Sequence, residues 1–287
     1  MGRWFVILAF ALALAMEWPG SDIRALAQAG ARQKPALDVP FEPSTRGITR
    51  AMLDMARVTS ADVVYDLGCG DGRIVIMAAR ERQAKGVGVD LDPVRVEESK
   101  KHAGRAGVTG LVQFFQQNLF ETDIARATVV MLYLWPEVNL RLRPKLLSDL
   151  RPGTRIVSHS HTMGDWTPDD QRTVEGHDLY LFIVPANATG TWRWTDRTGR
   201  ETSLRVTQKF QQGECRMEAG KDPFTVKNCA LRGDLLTFSS AAGDRVLLFE
   251  GRIAGDVIRG QVRDSAGQRA EAWKAFRDPS TRQPIAE

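Results

Sequence analysis

The sequence predicts an α/β fold: a doubly wound, mostly parallel sheet followed by a small antiparallel all-β domain. Three observations carry that expectation. Between residues 63 and 159 apolar strands alternate with helical stretches, the rhythm of a parallel sheet covered by helices on both faces. The first strand runs into a glycine turn, Asp66-Leu-Gly-Cys-Gly-Asp-Gly72, and the second ends in an acid, Asp90. Past Val184 the helical texture stops and short β-type runs with polar turns take over.

The chain has 287 residues and is 43% apolar, enough for one or two domains with a large core. Residues 1–29 read as a signal peptide or an N-terminal anchor. Arg3 precedes an apolar run from Trp4 to Met16, and Ala25-Leu-Ala27 and Ala27-Gln-Ala29 are small-x-small sites of the signal-peptidase type. Thirteen apolar residues are few for a bilayer span. The expectation is an exported or periplasmic chain, with membrane anchoring through the N-terminus as the alternative. Cys215 and Cys229 lie fourteen residues apart, a spacing open to a disulfide or to two free thiols. Cys69 sits in the glycine turn as a small residue.

The first domain spans residues 38–185. Two prolines make Asp38-Val-Pro-Phe-Glu-Pro-Ser-Thr45 an extended lead-in, and Ser44 or Thr45 can cap a helix over 47–56. Strand 63–66 leads to helix 72–82, strand 86–90 to helix 93–105, and strand 111–116 to a loop at Gln117-Asn-Leu119. Strand 128–134 then leads to helix 137–150, and strand 154–159 follows. Ligands of such sheets bind outside the carboxyl ends of the strands. The antiparallel β domain, 190–278, has β-type runs at 191–194, 202–210, 235–238, 245–249, 257–262 and 270–276, and its role is not legible.

Net charge is +4, and the excess lies in the C-terminal part: residues 1–185 hold 22 basic and 22 acidic side chains. Nucleic-acid binding asks for a concentrated basic face, so that partner class is not expected. No metal-ligating cluster is evident, because His159 and His161 have no further ligand residues near them in the sequence.

The glycine turn defines a nucleotide site of a particular kind. Glycine lets backbone approach a ligand where a Cβ would block it, and Asp90, twenty residues after Gly70, can accept hydrogen bonds from ribose hydroxyls. The G-x-G-x-G rhythm differs from the dinucleotide fingerprint, and Asp66 and Asp71 are poor company for a diphosphate. They suit a ligand with an ammonium group and a ribose, such as S-adenosyl-L-methionine (AdoMet). Candidate cofactor-binding residues are Asp66, Gly68, Gly70, Asp90, Asn118 and Leu119.

This turn resembles the first motif of class I, Rossmann-like AdoMet-dependent methyltransferases. Residues 38–170 are similar to the lysine methyltransferase family that includes the mitochondrial ATP synthase c-subunit enzyme and its bacterial relatives. The matching elements are Val39-Pro-Phe-Glu-Pro-Ser-Thr45, Asp66–Ile76, Asn118-Leu-Phe120, Leu132-Tyr-Leu-Trp-Pro-Glu137 and Asp165-Trp-Thr-Pro-Asp169. The resemblance implies AdoMet as methyl donor and a protein lysine as acceptor. The family offers Asp to the adenine amino group where Asn118 stands here, and an amide carbonyl can accept the same bond.

Methyl transfer needs an aligned nucleophile, and a lysine acceptor must also lose a proton, which an apolar aromatic channel favours. Tyr133, Trp135, Pro136 and Glu137 follow the fourth strand, where the acceptor would arrive, and are the candidate catalytic residues. Tyr133 reads equally as a core aromatic. Glu137 reads equally as an acid favouring the start of the next helix. Asp165-Trp166 can wall the acceptor entrance or pack on the sheet. Two readings stand beside protein-lysine methylation: transfer to a small molecule or lipid component, and a non-catalytic envelope binding module on a methyltransferase scaffold.

Overall fold

The computed structural model describes residues 41–196, 199–220, 222–242, 245–264 and 270–286. The expected N-terminal signal or anchor, 1–29, and the start of the lead-in at Asp38-Val-Pro40 lie outside these described residues.

The first domain opens with helix α1, Arg46–Met55, whose first turn is capped by Thr45 accepting from the Ile48 N–H at 3.1 Å. Ile48, Met52, Leu53 and Met55 bury one face of it. Then come β1 (Val63–Leu67), α2 (Arg73–Arg82), β2 (Lys85–Asp90), α3 (Pro93–Ala106), β3 (Val112–Gln116), β4 (Val129–Leu132), α4 (Pro136–Asp149) and β5 (Arg155–His159). These bounds fall within two residues of those expected. Start signals explain the precision. Asp92 caps α3 by accepting from the Val94 N–H, Pro93 sits in its first turn, and Gly107 ends it in a left-handed conformation.

A polar hairpin not foreseen in the sequence follows, β6 (Asp170–Val174) and β7 (His177–Ile183). β6 pairs only with β7, and its side chains are mostly exposed. An edge strand of this kind carries little apolar signal. The seven strands are ordered β3-β2-β1-β4-β5-β7-β6, with β7 antiparallel to both its neighbours. Two apolar layers cover the sheet. One contains Met52, Val75, Ala79 and Met131; the other contains Leu67, Leu132, Leu142 and Phe182.

The second domain is a closed barrel of eight strands: β8 (Gly190–Thr195), β9 (Glu201–Lys209), β10 (Gln212–Ala219), β11 (Asp222–Arg232), β12 (Leu235–Ala242), β13 (Arg245–Ala254), β14 (Val257–Asp264) and β15 (Glu271–Arg277). The ring runs β10-β11-β12-β13-β14-β15-β8-β9, so no edge is left open. β10 and β11 escaped the sequence reading. The partly or fully buried positions of β10 are Gly213, Cys215, Met217 and Ala219, too small and mixed to register as alternation. In β11 the register with β12 shifts between Lys227 and Ala230, and Asn228 takes φ +56° there, so the period breaks mid-strand. Cys215 and Cys229 are joined by a disulfide, which decides the alternative left open by spacing alone. Trp194, Phe238, Phe249 and Trp273 fill the interior, with Phe238 and Phe249 stacked at 4.5 Å.

The domains share a packed joint. Phe210, at the β9–β10 turn, enters the core of the first domain and stacks on Trp166 at 5.6 Å and 9°. Trp166 is fully buried between Phe182 and Phe210, so of its two readings packing on the sheet is the one realised. Lys209 pairs with Asp165 at 2.6 Å, and the Gln211 amide donates to the Thr167 carbonyl at 2.6 Å. Phe210→Ala is expected to cost about 3–5 kcal/mol, the usual range for emptying a buried phenylalanine site. Urea unfolding of the full chain checks this; a loss below about 1 kcal/mol would mean the joint is not a packed core.

Candidate active site

At the carboxyl ends of β1, β2 and β4 lies a crevice open to solvent and walled by the glycine turn, the lead-in and the loops after β3 and β4. The turn after β1 is tied to β2: the Gly68 and Cys69 N–H groups both donate to the Val89 carbonyl at 2.9 Å, and the Gly70 N–H donates to Asp90 Oδ2 at 2.9 Å. Gly70 has φ +53°, and a Cβ there would stand 2.2 Å from the Phe41 ring. Phe41 itself lies beneath the Arg95 guanidinium at 4.4 Å. The lead-in therefore closes over bare backbone.

Asp66 ends in this crevice at 2% exposure, and no hydrogen bond or ion pair reaches its carboxylate among the described residues. Burial pushes its carboxyl up to about 8, with the charges of Asp90 and Asp71 adding to the effect. Asp71 behaves differently. Burial would raise it, but Arg73 donates through Nε at 2.9 Å and Nη2 at 2.6 Å and holds it below the usual carboxylate range. Arg73 Nη1 also donates to the Ser44 carbonyl at 2.8 Å, fastening the lead-in to the turn. The expectation of two carboxylates for the ligand thus narrows to Asp66, because Asp71 already has its cation. Burial lifts Asp90 as well; its oxygens accept from the Gly70 and Asp92 N–H groups and each retains a lone pair.

An unpartnered buried carboxylate beside a second acid, with apolar walls from Ile74, Val89, Leu119 and Leu134, fits a cationic ribonucleoside. An ammonium group would supply the missing counter-charge at Asp66, and Asp90 could accept from ribose hydroxyls. AdoMet carries both groups.

Of the residues singled out by sequence, Asp66, Gly68, Gly70, Asp90, Leu119 and Tyr133 line the crevice. Asn118, Trp135, Pro136 and Glu137 stand outside its wall. Asn118 Oδ1 accepts from the Phe120 N–H and its amide donates to Glu121, so the side chain shapes the turn that presents Gln117 and Leu119. Trp135 is the N-cap of α4 and 50% exposed, Pro136 is the first helical residue, and Glu137 is an exposed acid in the first turn. The sequence reading missed Glu42, Ser44, Arg95 and Gln117 as wall residues. The lead-in motif was visible, but its return over the glycine turn depends on the Arg73–Ser44 bond, which has no local pattern.

Beside the crevice, Tyr133 packs against His159 with centroids 3.9 Å apart and rings tilted by 31°, and the rings of His161 and His177 lie nearby. Burial and the neighbouring Glu42 carboxylate raise the Tyr133 phenol. His159 is 1% exposed, and burial, followed by the two neighbouring imidazoles, lowers it to about 4.

Comparison with known proteins places this geometry. Residues 66–170 match the family model described as the ANTKMT methyltransferase domain. A protein-lysine N-methyltransferase of Saccharolobus islandicus is 42% identical over 151 residues, covering 51% of this chain and 94% of that relative. The ATP synthase c-subunit lysine N-methyltransferase of Mus musculus is 36% identical over 140 residues, covering 49% of this chain and 56% of that relative. Among solved structures, one described as an RNA methyltransferase from Salinibacter ruber in complex with S-adenosyl-L-homocysteine is 50% identical, with a TM-score of 0.50, covering 50% of this chain and 94% of that one.

The raised carboxyl of Asp66 sets a pH dependence. The free protein holds this group protonated at neutral pH, and its contribution to fold stability, full below the ordinary pKa of 3.8, is lost as pH rises through about 8. A cationic ligand needs the carboxylate, so binding expels a proton. AdoMet affinity is expected to rise with pH, approaching about tenfold per unit between about pH 5.5 and 7.5. Calorimetric titration of the wild type and Asp66→Asn checks it: the variant should bind more weakly and lose the slope, and a flat wild-type profile would refute the assignment.

Proposed function

Because the chain belongs to the protein-lysine N-methyltransferase family, we propose that it transfers the AdoMet methyl group to the ε-amine of a protein lysine. The observation that carries this reading is the orphaned Asp66 carboxylate facing a glycine turn that Phe41 covers. Bound in the crevice, AdoMet supplies an electrophilic methyl group on sulfur. The residues of this chain bind and align. Asp66 and Asp90 hold the polar ends, Leu119 and Leu134 line the crevice between them, and Tyr133 borders the side from which an acceptor can approach. Alignment of this kind accounts for about 7–11 kcal/mol of a barrier at best. An aromatic wall also suits a cationic or methylated amine.

The exposed Trp135 at the start of α4 supports an acceptor surface next to the crevice. Glu137 lies two residues further along, exposed in the same first helical turn.

The Salinibacter ruber relative makes RNA the acceptor to test against, and small molecules or lipids form a third class. Full-length protein incubated with methyl-tritiated AdoMet and the separated protein, RNA and lipid fractions of its source cell decides among them. Label in protein, recovered as Nε-methyllysine after acid hydrolysis, is the expected result. Label confined to RNA or to organic-extractable material would overturn the lysine reading. No turnover in any fraction, despite bound AdoMet, would favour a binding module.

We also infer that the chain works outside the cytosol. The apolar run Trp4–Met16 with its small-x-small sites and the Cys215–Cys229 disulfide support this. Alkylation of the denatured chain without reductant, followed by mass spectrometry, should find Cys69 as the one free thiol. Three alkylated cysteines would remove the disulfide's support for export.

A further inference from the structure

Directly behind the crevice wall, against Tyr133 and Ser44, lies a group with unspent bonding capacity. His159 Nδ1 lies 2.9 Å from Ser44 Oγ, while Nε2 is buried and has no partner among the described residues. Ser44, its hydrogen-bond partner, and Tyr133, whose ring packs tilted against it, both line the crevice. A buried ring nitrogen without a partner is either an orphaned donor or an unused acceptor. Orphaned buried N–H groups are the rarer and costlier case. The favoured arrangement has Nδ1–H donating to Ser44 Oγ and a lone pair on Nε2.

A lysine amine brings donors in excess. A slot that receives one should therefore offer acceptors and an aromatic face. This wall offers the Tyr133 ring and the Glu42 carboxylate beside it, and the Nε2 lone pair lies in the layer behind them. We propose that His159 Nε2 is the contact that accepts a hydrogen bond from the incoming lysine amine and turns its lone pair toward the methyl donor, with Ser44 positioning the ring. The proposal rests on the lysine reading above and names the residue that orients the acceptor.

The chemistry balances without His159 taking a proton. The lysine ammonium loses one proton to bulk water on entering the slot. The nitrogen lone pair then forms the N–CH3 bond as the S–CH3 bond breaks, and that electron pair stays on sulfur. The product leaves as a protonated methylamine. Burial of the imidazole disfavours its cation, which suits an acceptor of a hydrogen bond more than a base. Ser44 links this contact to the donor site, because its carbonyl is held by Arg73, which pairs with Asp71 of the glycine turn.

The test uses the full chain, labelled with nitrogen-15 in histidine and saturated with S-adenosylhomocysteine, and n-butylamine as the probe for a lysine side chain. Long-range nitrogen–proton correlation spectra should show the His159 proton on Nδ1 and a shift of the Nε2 resonance as n-butylamine is added. A proton on Nε2, or an Nε2 signal that ignores n-butylamine, would overturn the proposal. Failure of S-adenosylhomocysteine to bind would instead remove the methyltransferase reading, and this one with it. His159→Phe keeps an aromatic ring and deletes the acceptor atom. On the source-cell protein fraction it should lower kcat/KM for methyllysine formation about 10- to 100-fold, with S-adenosylhomocysteine affinity held within about twofold. A full-rate His159→Phe enzyme would count against the contact, whatever the spectra show.

Discussion

A carboxylate buried without a cation is the constraint around which the first domain is arranged. Asp66 sits at the end of a central strand, where dehydration and two neighbouring acids oppose its charge. The fold could have silenced it with a basic side chain, and does so for Asp71 with Arg73. It leaves Asp66 open to the crevice instead. The free protein carries that cost as a protonated acid, and a cationic ligand relieves it. The glycine turn, the β2 clamp at Asp90 and the lead-in over Gly70 all hold the backbone close to this one group.

How much of this could be read from sequence depends on whether the signal was local. The strands and helices of the first domain were legible because apolar periodicity, Asp92-Pro93 and the glycines each act within a few residues. Asp66, Gly68, Gly70 and Asp90 were legible for the same reason. Asn118 stands outside the crevice wall and gives one lone pair of its amide oxygen to its own turn. Trp135, Pro136 and Glu137 were placed near the acceptor by their position after β4. The chain turns into α4 there, and of the four candidates only Tyr133 reaches the crevice. Ser44 and His159 are 115 residues apart, and no spacing rule joins them. The same holds for Phe210 and Trp166, whose stacking makes one core out of two domains.

The barrel was legible as a class and not in its count. Strands rich in large apolar residues announced themselves, while β10 conceals its inward face behind small side chains. Closure then follows from pairing across β9 and β10, with the disulfide crossing to β11 at the point where the register shifts. A staple at that point limits slippage where backbone pairing is weakest.

The crossing from sheet to barrel has no slack. Arg277, 4% exposed, donates to the Asn187 and Thr189 carbonyls and to Asp256, and lies on the Trp192 ring at 4.6 Å. Ala186 and Ala188 donate to Gly233 and Gln208. A hinge requires bonds that can rotate without losing partners, and those between Ala186 and Thr189 are already engaged. The crossing segment is therefore bound to the barrel along its own backbone. The strap of residues 41–45 is fastened on three sides as well: Arg73 on the Ser44 carbonyl, His159 on its hydroxyl and Arg95 over the Phe41 ring.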